Sequence, residues 1–205
     1  MNYFRKNIHQ RNGFTLVEVM VAISILATSL VAAMFLVQQG LRSTFSARNQ
    51  ITAFYLAQDA IEQIKSVRDS NKLEDLTSNL PGSSFWLSGL DHSSKGCISS
   101  DGSKHCRIST FDNTGDYDFD TPTCPASCAE PMKYVPELGI YGHFGGSVQG
   151  HPTVTSVFGR DITITTPVAG ASGADLDEAR VTVVVSWGIG ASAKSVTLTE
   201  YLKNY

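Results

Sequence analysis

The feature that most constrains this chain is a predominantly apolar run from Phe14 to Val37 that carries a single charge, Glu18. As a helix, its 24 residues span roughly 36 Å, enough to cross a hydrocarbon core of about 30 Å. Arg5, Lys6 and Arg11 precede the run, and no acidic residue occurs before Glu18. Basic flanks stay on the cytoplasmic side, so the chain is expected to enter N-in, C-out as a single-pass protein. A carboxylate inside such a segment costs about 2.5–3.5 kcal/mol even on a lenient insertion scale. A residue that unfavourable points to a partner.

The stretch Gly13-Phe14-Thr15-Leu16-Val17-Glu18 resembles the processing site of type IV pilins and type II secretion pseudopilins. A short basic leader ends in Gly, the chain continues with Phe, and Glu sits four residues further on. The resemblance implies that a membrane-embedded prepilin peptidase cuts between Gly13 and Phe14 and N-methylates Phe14. It implies as partners other pilin or pseudopilin subunits, that peptidase, an inner-membrane assembly platform and membrane lipid. It also implies a location in the cytoplasmic (inner) membrane, followed by an extracellular or periplasmic filament with the globular part facing out. The physics is consistent with these expectations. Cutting ahead of the apolar run leaves the run on the mature protein. The new amine on Phe14 is a cation at the end of an apolar helix, and Glu18 of one subunit can neutralise the amine of its neighbour. In low dielectric, pairing is favoured over leaving either charge alone.

Two plainer readings compete. An ordinary secretory signal also has a basic start and an apolar region, and Ala32-Ala33 offers small residues for a cut. Glu18, the length of the run and the lack of a turn signal after it speak against this. An uncleaved anchor explains the run but not the Gly-Phe-Thr-Leu-Val-Glu context.

Loss of residues 1–13 removes three positive charges and no negative ones, taking the formal net charge from -3 to -6 before the new amine is counted. No basic stripe is present to release counterions, so no direct nucleic-acid partner is expected. The four cysteines, Cys97, Cys106, Cys124 and Cys128, all follow the apolar run, on the side where disulfides are permitted. They allow three connectivities, of which the local one, Cys97–Cys106 with Cys124–Cys128, is favoured. Zinc and free thiols remain the alternatives; the spacing lacks the tight C-x2-C knuckles of common zinc sites. Asp112, Asp116, Asp118 and Asp120 supply oxygen ligands along a turn in a manner that suits Ca²⁺, although, unlike in an EF-hand loop, no Gly follows the third acid and no Glu closes the site. A solvated acidic turn is the competing reading, and no other cofactor is expected.

The remaining chain divides by pattern. Residues 1–13 read as a leader, 14–37 as a transmembrane helix and 38–72 as its amphipathic continuation, with Leu41, Phe45, Ile51, Tyr55, Ile61, Ile64 and Val67 at helical spacing. Residues 73–205 read as a globular α+β head. Phe85-Trp86-Leu87 is expected to pack back on the helix. Residues 88–152 show no sustained period and read as a variable loop region with one or two short strands. Beyond them, Arg160–Thr166 alternates, Val181, Val183, Val185 and Trp187 share a face, and Val196 and Leu198 alternate in a last strand. Three antiparallel strands are predicted, the last two forming a hairpin, with one apolar face closed over the helix. That ending, and Leu56-Ala57-Gln58-Asp59-Ala60-Ile61-Glu62, resemble minor pilins and minor pseudopilins.

No catalytic arrangement appears: His92, His105, His143 and His151 are scattered, and there is no H-E-x-x-H, G-x-S-x-G or Walker loop. The expected role is therefore structural, as a minor pilin or minor pseudopilin of a type IV pilus or type II secretion filament. The alternative is a filament-displayed adhesin or receptor-binding module using loops 88–152.

Overall fold

A computed structural model describes residues 13–77, 86–90, 97–108, 123–124, 128, 130–144, 146–166, 177–188 and 190–204. The architecture is α+β: one long N-terminal helix, α1 (Leu16–Thr77), and a mostly antiparallel sheet of eight strands. The chain forms two compact units, residues 1–47 and 48–205.

In the first unit, α1 is exposed along its whole apolar stretch; every residue from Phe14 to Phe45 is open. This part of α1 is long and apolar enough to cross a membrane, and none of it is buried. No proline or glycine falls between Leu16 and Val37, so the helix has no covalent reason to kink there.

The second unit is organised around β6 (Val154–Thr165). One edge pairs with β7 (Glu178–Trp187) from Phe158 to Thr165, and β7 pairs in turn with β8 (Lys194–Lys203) along its full length. The other edge of β6 is shared by short strands. β4 (Pro131–Val135) takes its start, β2 (His105–Cys106) meets Ile162, and β1 (Ile98–Ser99) pairs in parallel with Ile164 and Thr165. β3 (Thr123–Cys124) extends β2, and β5 (Ile140–Gly142) extends β4. The predicted hairpin is β7–β8. The region 88–152, read as holding one or two short strands, holds five among the described residues. Four of them have two or three residues, too few for a two-residue period to register in sequence, and the five-residue β4 does not alternate strictly in burial.

The core lies between α1 and the sheet. Ala53, Leu56, Ala57, Ala60, Ile61 and Ile64 are buried on the helix and meet Phe158, Ile162, Ile164, Val181, Val183, Val185, Trp187 and Leu202. Trp86 and Leu87 join this cluster, as expected of a segment that packs back on the helix. The expected apolar face of α1 needs correction. Ile51 and Tyr55 are 57% and 63% exposed, and only Ile61 and Ile64 of the seven predicted positions are buried, with Val67 partly so. At about 100° per residue, Tyr55 stands roughly opposite Ile64. The buried stripe runs through alanines instead, whose small side chains let the sheet approach closely.

Candidate functional site

The first turn of α1 is built by its own side chains. Gly13, Phe14 and Thr15 are non-helical, and α1 begins at Leu16. Thr15 is therefore the N-cap: its Oγ1 accepts the Glu18 backbone N–H at 3.2 Å, and its carbonyl accepts Val19 N–H at 3.2 Å. Thr15-Leu16-Val17-Glu18 has the capping-box spacing, and the acid in the first turn also complements the positive end of the helix dipole. Sequence reasoning passed over this role for Thr15, although the T-x-x-E spacing ahead of an apolar run signals it.

The other polar side chains of the span are satisfied within the helix. Ser24 Oγ donates to the Met20 carbonyl at 2.8 Å, Thr28 Oγ1 to the Ser24 carbonyl at 3.0 Å, and Ser29 Oγ to the Leu26 carbonyl at 2.8 Å. Such back-bonding lets a hydroxyl sit in hydrocarbon without an outside partner. Glu18 differs. No hydrogen bond or ion pair to its carboxylate occurs among the described residues. It lies on one face with Phe14, Val19, Ala22, Ile23 and Leu26, so a single acceptor group stands in an otherwise apolar, uncovered surface.

In the head, the cysteines are joined as Cys97–Cys106 and Cys124–Cys128, each pair with Cα atoms 5.4 Å apart. Asp161 ties the two pairs together. Its Oδ2 lies 2.7 Å from His105 Nδ1, beside Cys106, and its Oδ1 accepts the Cys128 backbone N–H at 3.0 Å. Arg160, 1% exposed, reaches in the other direction. Its Nη1 donates to the Leu56 carbonyl and to Asp59 Oδ2, and its Nη2 to the Ile108 carbonyl at 2.7 Å. Burial lowers the Arg160 pKa from its ordinary value, and Asp59 opposes that shift.

The histidines remain dispersed. His151 pairs with Glu137, His105 with Asp161, and His143 has a buried Nε2 without a hydrogen-bond partner among the described residues. Burial, reinforced by the charges of Arg160 and Arg107, pushes the His143 pKa down to about 4. His92 lies outside the described residues, as do Asp112, Asp116, Asp118 and Asp120 of the Ca²⁺ expectation. No cluster of three metal-ligating side chains occurs among the described residues.

Residues 8–34 match the family model described as the prokaryotic N-terminal methylation motif. That motif is the one found at prepilin-type N termini. It supports kinship with type IV pilins and pseudopilins and implies processing by prepilin peptidase and assembly with other pilin-type subunits. Together with the apolar helix, it fits a protein anchored in a membrane and then assembled into a filament. No curated protein and no solved structure matches the chain.

Proposed function

We propose that this chain is a minor pilin or minor pseudopilin of a type IV pilus or type II secretion filament. Prepilin peptidase cuts between Gly13 and Phe14 and methylates the new Phe14 amine. The residues from Phe14 to Val37 then hold the subunit in the inner membrane, with the head on the extracytoplasmic side, until assembly. The observation that carries this reading is the contrast within one helix. Ser24, Thr28 and Ser29 are satisfied internally, while the Glu18 carboxylate has no partner among the described residues. The methylated amine of an adjacent subunit supplies the missing cation. That pairing sets the axial register between subunits, because each helix has one acid in its span and one amine at its end.

Mass spectrometry of the N-terminal peptide from membrane-extracted protein tests the maturation step. A peptide beginning with N-methylated Phe14 is expected. A mature chain that starts after Ala33 would overturn the reading, since it would have lost the helix that assembly needs.

A further inference from the structure

One end of the sheet carries a polar cleft that neither the apolar helix nor the disulfides explain. Register places Thr165 of β6 opposite Arg180 of β7, and Arg180 opposite Tyr201 of β8. All three point away from the core, since their chain neighbours Ile164, Val181 and Leu202 are buried. With Ser100, Thr166 and Glu178 they line a cleft of about 270 Å³. That lies just under the range of about 300–1,000 Å³ typical of ligand pockets, room for one ring rather than a chain.

The side chains are pre-set. Arg180 Nε donates to Thr165 Oγ1 at 3.2 Å, which fixes the plane of the guanidinium. Unlike Arg68, Arg107 and Arg160, Arg180 has no carboxylate at ion-pair distance among the described residues. Glu178 lines the same cleft without bridging to it. An acceptor and a fork of donors thus stand side by side, neither neutralising the other. Tyr201, 58% exposed, adds an aromatic face. The wall formed by Ser100 follows β1, which is held by its parallel pairing to Ile164 and Thr165 and by the Cys97–Cys106 bond.

The chemistry of the lining selects among ligands. An anion meets the Glu178 carboxylate. A wholly apolar molecule strips water from both charged groups and returns no hydrogen bond, which is costly. A pyranose ring satisfies the set: its hydroxyls donate to Glu178 and accept from Arg180, and its C–H face rests on the Tyr201 ring. We propose that this cleft binds a neutral monosaccharide unit, which goes beyond the assembly role and does not depend on it.

Saturation-transfer NMR on the full chain in a sugar-free zwitterionic detergent tests this, with D-glucose, D-galactose and N-acetyl-D-glucosamine as probes at ~10 mM, a range that detects weak millimolar binding. Transfer to at least one sugar is expected. Tyr201→Ala and Arg180→Gln should each weaken that binding by about tenfold or more, while Tyr201→Phe, which keeps the ring, should retain it. No transfer to any of the three sugars overturns the proposal. So does binding that both Tyr201→Ala and Arg180→Gln leave unchanged, or displacement of the sugar by glycine, which would mark a site for zwitterions.

Discussion

Arg160 Nη1 donates to Asp59 Oδ2 at 3.0 Å, linking the central strand of the sheet to the helix that covers it. The same guanidinium donates to the carbonyls of Leu56 and Ile108, so one buried cation joins three segments. Removing one partner of such a group costs more than the pair is worth, because the remaining polar groups stay buried and unmatched. Arg160→Ala is expected to destabilise the head by about 3–5 kcal/mol. Arg160→Met, which fills the space without a charge, should cost less. Asp59→Asn keeps an oxygen acceptor at a half-exposed position, with 48% of the side chain accessible, but leaves the buried Arg160 cation without its counter-charge, so it should cost about 2–3 kcal/mol. Denaturant unfolding of the three variants checks the order; equal losses would remove the ion pair from the account.

Glu18 is the second target. Glu18→Ala should leave cleavage before Phe14 largely intact, because the amide N–H of residue 18 can still donate to Thr15 Oγ1. Incorporation into filaments should fall by about tenfold or more, in keeping with loss of a charge pair in low dielectric. Quantifying mature subunit in sheared filaments against that in membranes separates the two steps. Normal incorporation of the variant would take Glu18 out of the assembly mechanism.

The disulfides close loops of different length. Cys97–Cys106 spans a separation of 9 residues and Cys124–Cys128 one of 4. Loop-closure entropy gives about 3 kcal/mol for the first and about 2 kcal/mol for the second. The Cys97→Ser/Cys106→Ser double variant should therefore lose more stability than Cys124→Ser/Cys128→Ser. Denaturation midpoints under oxidising conditions measure this, and the reverse order would mean that native-state contacts such as Asp161 to Cys128 dominate over chain entropy.

His143 should make the head acid-sensitive. Its pKa is about 4 when folded, against 6.5 for the free side chain. Between these values the unfolded chain binds the extra proton and the folded one does not, so stability rises with pH through that window and falls on acidification. The loss from pH 7 to pH 4 is on the order of 1–3 kcal/mol. His143→Gln, which cannot titrate, should flatten the stability profile over this range. A variant that keeps the wild-type slope would assign the acid sensitivity elsewhere.

Much of this head was legible in the pattern of its residues. Val181, Val183, Val185 and Trp187 alternate, and all four are buried. Arg160 shares their logic: it has the parity of Ile162 and Ile164, so the alternation already assigns it to the core face, where a lone cation demands acceptors. What the pattern did not reveal is which acceptors answer it, since Leu56, Asp59 and Ile108 lie far from Arg160 in the chain. The five short strands were hidden for a related reason. A two-residue pairing such as Ile98–Ser99 with Ile164–Thr165 has no periodicity of its own and is defined by its neighbour.

The chain's local chemistry alone determined its N-terminal apolar segment, residues 14–37: length, hydropathy and one acid four residues past Phe14 are properties of consecutive residues, readable wherever that helix sits. Tertiary structure decided which face of α1 enters the core, because Ala53, Ala57 and Ala60 became buried only when the sheet came close enough to exclude water from them. It also decided what Arg160, Asp161 and Arg180 touch. Hydrophobic period sets the side of an element that faces inward, but hydrogen bonds between distant side chains depend on strand register, and register is a property of the folded sheet.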